Sequence, residues 1–422
     1  MESTRARKLK QVPVGYLIAG VDPHKKKHAV VVIGQDLVVH SKFKVLNSRQ
    51  GYEELLERAR WQMMATGSRG IIFAIEAGGH LWRNLAYFLE ERGIPFRLIN
   101  PFTLKRWREG RDLNRLKNDY RDAEVAAELL RTGEFTETRL VQGTYAELRA
   151  AYNAYRRLVK DRARSLNLLK GLLDGLFPEF CQVFNDPAGK TALAMLSLCP
   201  VPRAIAGMTA DEFVDTIRGG YPKPRLKLRK LRALHNAAQT SIGIQSGTKS
   251  LSIELSLLAQ RLRLGGQQIE EVEERLVGLV DSMKDGEYLL SVRGLSYVTV
   301  AGLLAELGPL RSYQNAKQLI KMAGSNPIES ESAGKRRSRT PMSKKGRPGL
   351  RWCIWTAAIS LLRHNSDFRS WARMRRERPA YDHPLKAREV VGAAGNRLLR
   401  LAYALIKKQT SYRMPQMAEV AS

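Results

Sequence analysis

The sequence predicts an α/β domain at the N-terminus, a helical middle with a coiled-coil seam, and a mainly α C-terminal domain. Three observations predict it. Residues 16–132 alternate short β-branched runs with segments of helical spacing. Residues 144–283 read as long amphipathic helices. Residues 288–410 hold apolar helices separated by a polar, basic loop. A chain of 422 residues suits two or three domains better than one. The expected bounds are residues 14–140, 141–284 and 285–412.

Within the first domain, Tyr16 to Asp22 is an apolar run ending in an acid, and His28 to Gly34 is a second run rich in β-branched residues. Asp36 to Leu46 alternates and reads as a third strand, with Gly34 to Asp36 as its hairpin turn. Helical spacing follows over Gln50 to Met64, then another buried-strand signature from Gly70 to Glu76. Leu81 to Arg92 is helical, Pro95 to Asn100 a short strand, and Asp119 to Thr132 an Ala-, Glu- and Leu-rich helix. Three early strands, then helix and strand in turn, is the order of a ribonuclease-H-like sheet.

In the middle region, Leu148, Tyr152, Tyr155, Val159, Leu166, Leu169 and Leu173 fall largely on one helical face. Prolines and glycines between Phe177 and Gly220 mark a small inserted subdomain or a set of short helices. Tyr221 to Leu234 is rich in Lys and Arg. Leu251, Leu255, Leu258, Leu262, Ile269, Val272, Leu276 and Leu279 recur as an a/d seam, with Gly265 and Gly266 inside it allowing a bend. The pattern leaves open whether the seam pairs within one chain or between two. In the last region, Ser291 to Ser296 followed by Val298 to Leu307 reads as a turn-plus-helix hairpin. The basic loop Ser325 to Pro348 comes next, then helices over Trp352 to Leu362 and Val390 to Lys407.

Composition narrows the partners. There are 71 Lys and Arg against 41 Asp and Glu, a net charge of +30. Such an excess calls for a polyanion, and nucleic acid supplies one through counterion release. Cys181, Cys199 and Cys353 are too scattered for a disulfide framework or a metal site. No apolar stretch reaches membrane-spanning length, and a cytoplasmic, nucleoid-associated bacterial protein is expected.

Four carboxylates occupy telling positions. Asp22 and Glu76 end strands, and Asp119 and Asp122 share one face at the start of a helix. Strand ends and helix starts converge at one edge of an open α/β sheet. Four clustered carboxylates repel one another unless divalent cations neutralise them, and Mg²⁺ or Mn²⁺ with oxygen ligands fits. Taken singly, each acid has a plainer role: Asp22 a turn former, Glu76 or Asp119 a helix cap, Asp122 a first-turn charge. His24 and His28 are expected to be structural or substrate-side rather than ligands, and Lys25 to lie beside the pocket within reach of a phosphate.

At these residues the chain resembles the DEDD transposases of the IS110 family, which act as RNA-guided recombinases. Gly20-Val-Asp22-Pro-His-Lys25, Glu76-Ala-Gly-Gly, Asn100-Pro101 and Lys117-Asn-Asp119-Tyr-Arg-Asp122-Ala carry the N-terminal likeness. Val292-Arg-Gly-Leu-Ser296, Leu303 to Gly308, Ala323-Gly-Ser-Asn-Pro327 and Ser343-Lys-Lys-Gly346 carry the C-terminal one. The resemblance implies a RuvC-like fold whose four acids bind Mg²⁺, and a C-terminal serine that attacks DNA. The matching serine is Ser332, with Ser325, Ser330 and Ser338 as competitors by chemistry alone. Arg336, Arg337 and Lys344 are candidates to stabilise the developing phosphate charge.

The resulting expectation is cleavage and rejoining of DNA at insertion-sequence ends, with a covalent phosphoserine on Ser332. The resemblance also implies an element-encoded guide RNA and a homo-oligomer, dimer or tetramer. Two rival expectations stand: a Holliday-junction nuclease in which water attacks, and a non-catalytic nucleic-acid-binding scaffold.

Overall fold

The strand-rich N-terminal stretch forms a five-stranded mixed sheet. In the computed structural model, which describes residues 4–111, 118–136, 140–220, 228–328, 331–332, 335–336, 341–377 and 384–414, two compact units divide the chain at Leu140 and Val141. In the first, a short helix α1 (Thr4–Leu9) precedes β1 (Tyr16–Asp22), β2 (Lys27–Ile33) and β3 (Val39–Leu46), which pair as antiparallel neighbours. β4 (Gly70–Glu76) runs parallel to β1 on its other side, and β5 (Phe96–Ile99) parallel to β4, so the order is β3-β2-β1-β4-β5.

The central strand is covered on both faces, which is why it reads as an unbroken apolar run. Leu17, Ala19 and Val21 face α2 (Arg49–Thr66) and α3 (Arg83–Glu91). With the strand's period of two, Ile18, Gly20 and Asp22 face the other layer. That layer comprises α4 (Pro101–Arg111) and α5 (Asp119–Arg131). The same parity puts Glu76 on the α5 side with Ile72 and Ala74.

Two local departures have physical causes. β3 starts at Val39, not Asp36, because residues 34–38 close a turn. There Leu37 N donates to Gly34 O at 3.1 Å, Asp36 Oδ1 accepts from Val38 N at 3.0 Å, and Leu37 has φ 73°. α4 was not expected from the pattern. Its start is written in Asn100-Pro101: the Asn100 side chain accepts from Phe102 N at 2.9 Å, and Pro101 takes the first-turn place where no N–H is needed.

The second unit is helical. α6 (Gly143–Leu176) and α12 (Thr248–Asp281) are its two long helices. Between them lie α7 (Phe180–Val183), α8 (Lys190–Leu198), α9 (Pro202–Ala206), α10 (Ala210–Gly220) and α11 (Leu228–Gln239), the set of short helices expected from the prolines. Leu169, Leu173 and Leu176 of α6 join Leu255, Leu258 and Leu262 of α12 in one core. Leu148 and Tyr152 join Leu276, Leu279 and Val280 in another. The two helices therefore run antiparallel within the unit, and the leucine seam packs inside the chain at both ends. α12 continues unbroken through Gly265 and Gly266. The basic residues 221–227 lie outside the described residues, and 228–234 continue onto α11.

The remainder comprises α13 (Lys284–Leu290), α14 (Tyr297–Leu307), a short 3₁₀ turn (Leu310–Ser312), α15 (Ala316–Ala323), the ribbon β6 (Glu331–Ser332) and β7 (Lys335–Arg336), then α16 (Pro348–His364), α17 (Ser366–Glu377) and α18 (Ala387–Lys408). Between α13 and α14 the chain turns at Gly294 (φ 103°), and Ser296 caps α14 through Thr299 N at 3.3 Å. The turn's carbonyls are held by other parts of the unit. Gly294 O accepts from Ser360 Oγ at 2.7 Å, and Arg293 O from Asn365 Nδ2 at 3.0 Å. Among the described residues no helix is long and apolar enough to cross a membrane.

Candidate functional site

Asp22 and Glu76 end adjacent parallel strands, since Val21 pairs with Ile75. Both lie on the face that α5 covers. α5 can cover it closely because residue 20 is glycine. A Cβ there would lie 1.7 Å from the carbonyl oxygen of Ala123, inside any allowed contact. α5 is thus laid against β1 at Ala123, just after its first turn and opposite the residue two before Asp22. Asn118, not Asp119, caps that helix, accepting from Tyr120 N at 3.0 Å, so the Asp119 carboxylate is spared for other partners. Glu76 caps no helix, because α3 begins only at Arg83.

The geometry brings all four acids into one electrostatic neighbourhood. Asp22 and Asp122 are buried, with 8% and 4% of their surface exposed. Burial raises the Asp22 pKa. His24 opposes that rise, while Asp122 and Asp119 add to it. Glu76 is pushed up to about 7, first by burial, then by the charges of Asp22 and Asp122 and a hydrogen bond with Asp22. Asp119 is shifted the other way, because Lys44 donates to its Oδ2 at 2.8 Å.

Cations already lean on this cluster. Arg108 of α4 forms an ion pair with Asp122. His24 Nε2 lies 3.1 Å from Asp22 Oδ2 and 3.3 Å from Asp119 Oδ1. Asp22, His24 and Asp119 each offer a ligand atom within 4.8 Å of the others. Asp22 and Asp119 thus share a pocket with a histidine, while Asp122 is engaged by Arg108 beside them and Glu76 is held against Asp22. This donor set, crowded carboxylates with one imidazole and one carboxyl held near neutrality, suits divalent cations.

Lys44 and Arg108 carry no mark of this site in the sequence, and His24 carries an ambiguous one. His24 and His28 have no cysteine or third histidine at ligand spacing, and the second carboxylate that His24 meets, Asp119, comes from a distant segment. Lys44 sits on an alternating strand where any basic residue looks like solvent-facing charge. Arg108 lies on the helix that the pattern did not reveal. His28 does behave as a structural residue. It is buried and stacked on Tyr52, with Nδ1 accepting from His24 N at 3.1 Å and Nε2 3.3 Å from Tyr52 Oη. Burial lowers its pKa to about 4 and keeps it neutral. Lys25 is exposed in the turn after β1.

In the second unit, the segment read as a basic loop is an antiparallel ribbon. Ser343 N donates to Asn326 O at 2.9 Å and Ile328 N to Pro341 O at 2.9 Å, with Pro327 and Met342 bridged between them. Farther out, Ser332 pairs with Lys335 and Glu331 with Arg336. The base is drawn tight by glycines. A Cβ on Gly346 would lie 2.3 Å from Gly324 N, and Lys344 (φ 55°) donates to Gly324 O at 2.8 Å. The Lys344 side chain is exposed. Ser325 is buried and donates its hydroxyl to Asn396. Ser330, Arg337 and Ser338 lie outside the described residues.

Two family models match the chain. The model of the IS110-type DEDD transposase covers residues 19–178, and that of the IS116/IS110/IS902 transposase family covers residues 286–373. The chain is 25% identical over 376 residues to a 44.8 kDa protein of insertion element IS116 from Streptomyces clavuligerus, covering 87% of each. It is 26% identical to the transposase of insertion sequence element IS1111A from Coxiella burnetii, over 76% of this chain and 74% of the relative.

Proposed function

As the chain belongs to the IS110 family of insertion-sequence transposases, we propose that it cleaves and rejoins DNA strands by metal-dependent phosphoryl transfer. In this reading the N-terminal unit is a RuvC-like, ribonuclease-H-like domain whose Asp22, Glu76, Asp119 and Asp122 hold Mg²⁺ or Mn²⁺. The observation that carries it is the gathering of these four side chains, contributed by β1, β4 and α5, at one sheet edge. The strand order β3-β2-β1-β4-β5, with only the first three antiparallel, supports the fold assignment.

When bound, the cations supply charge neutralisation at the attacking and leaving oxygens of the phosphate. The protein's own residues do the rest. Asp22 and Asp122 are fixed by burial, and Arg108 and Lys44 hold Asp122 and Asp119 in place until the ion arrives. The Ser332 hydroxyl gives up its proton and forms the new O–P bond as the bond from phosphorus to the deoxyribose oxygen breaks, and that departing oxygen takes up a proton in turn. Lys25, Arg336, Arg337 and Lys344 contact phosphates. An element-encoded guide RNA, domains over residues 14–140, 141–284 and 285–412, and an oligomeric assembly belong to the same reading.

The test is incubation of the protein, with co-purified RNA and Mg²⁺, on element-end DNA. A DNA strand covalently attached to protein is expected, absent with Ser332→Ala and with Asp22→Asn. Cleavage that persists in Ser332→Ala without a protein adduct would instead identify a hydrolytic junction nuclease. Binding without any cleavage, indifferent to Asp22→Asn and to Mg²⁺, would identify a scaffold.

A further inference from the structure

Resting on that reading of the acidic site, we propose that His24 is a nitrogen ligand there, making one ion position a mixed Asp22–His24–Asp119 site that prefers Mn²⁺ to Mg²⁺. Cis donors around an octahedral ion at about 2.1 Å stand roughly 3 Å apart. His24 Nε2 stands 3.1 and 3.3 Å from one oxygen of Asp22 and one of Asp119. The two separations match those of cis ligands, and all three candidate atoms lie within 4.8 Å of one another.

Three further features separate this from an ordinary histidine–carboxylate pair. Nε2 is enclosed and faces two carboxylates at once, one from β1 and one from α5, rather than a single partner. The backbone that carries the ring is fixed, because His24 N donates to His28 Nδ1 and His28 is itself locked against Tyr52. Asp119 is freed from capping by Asn118, and its other oxygen is occupied by Lys44, which orients the carboxylate. Those features position one nitrogen and two oxygens from β1, its following turn and α5.

The chemistry decides the ion. Mg²⁺ takes oxygen donors and demands near-ideal geometry. Imidazole is a better ligand for later first-row ions, and Mn²⁺ accepts both oxygen and nitrogen. Replacing one carboxylate or water by imidazole therefore costs Mg²⁺ more than Mn²⁺. His28 is not the source of the nitrogen, since both its ring nitrogens face protein partners.

The experiment uses the full chain, titrated with Mn²⁺ and with Mg²⁺ by calorimetry, and examined with bound Mn²⁺ by electron spin-echo envelope modulation. The wild type should show ¹⁴N coupling of a histidine ligand. His24→Asn should lose it, weaken Mn²⁺ on the order of tenfold or more, and leave Mg²⁺ nearly unchanged. Thermal unfolding of the metal-free variant, whose substituted side chain is 45% exposed in the wild type, checks that it is folded. Bound Mn²⁺ without nitrogen coupling, but lost in Asp22→Asn, would overturn the role of His24 while sparing the acidic site. Mn²⁺ binding indifferent to Asp22→Asn would overturn the acidic site as well.

Discussion

Gly20 and Glu76 show how single positions govern the site. Gly20 lies beneath α5 with no room for a methyl group. Gly20→Ala should push the helix outward, destabilise the N-terminal unit by about 1–3 kcal/mol as overpacking does, and weaken divalent-ion binding. Chemical denaturation and calorimetry measure the two effects. Glu76 makes a pH prediction. Its carboxyl is raised from an ordinary 4.5 to about 7 in the folded protein. The stabilisation this gives is complete below about pH 4.5 and lost as pH rises through about 7. The melting temperature of the metal-free protein should therefore fall between pH 5 and 7.5. Glu76→Gln should flatten that fall, and added Mg²⁺ should stabilise the wild type more at pH 8 than at pH 6. A melting profile with the same slope in Glu76→Gln would remove Glu76 as its origin. The acids themselves were legible in the sequence because each sits at the end of a recognisable strand or the start of a helix. Arg108 and Lys44 were not, since a basic residue on a helix or strand carries no local mark of the carboxylate it will meet from another segment.

At the scale of elements, the helix that supplies two of the acids depends on a cap one residue earlier than the sequence suggested. Asn118→Ala should cost about 0.5–2 kcal/mol and lower ion affinity, because the first turn of α5 carries Asp119 and Asp122. Asn118→Asp should recover most of the stability, as measured by thermal unfolding. The sheet was readable because its strands have strong β-branched runs and its helices have caps. α4 was hidden in a segment with little apolar periodicity, where only Asn100-Pro101 marks the start. The serine ribbon was hidden for a related reason. Its pairing rests on backbone hydrogen bonds between polar residues 326–328 and 341–343, with no alternating apolar face to announce strands. Gly346→Ala should loosen the ribbon's base against Gly324 and be read as faster amide exchange at Ser343 and Lys344.

For the whole molecule, net charge dominates encounter with nucleic acid. With a charge of +30, DNA binding should drop on the order of a thousandfold between 50 and 200 mM salt if about six phosphates are neutralised. Fluorescence anisotropy at a series of salt concentrations tests this, and a flat profile would mean that the excess charge lies away from the bound strand. The leucine repeat announced paired helices, but periodicity cannot say which partner an apolar stripe will meet. The partner, α6, lies more than seventy residues upstream, and the two helices share one apolar core toward each end. Between those cores on α12, Leu264 is about half exposed. At 1.5 Å per residue a 34-residue helix extends about 50 Å. The pair is therefore a beam anchored in a separate core at each extremity. Loss of packing at one anchor therefore leaves the other core's own contacts in place.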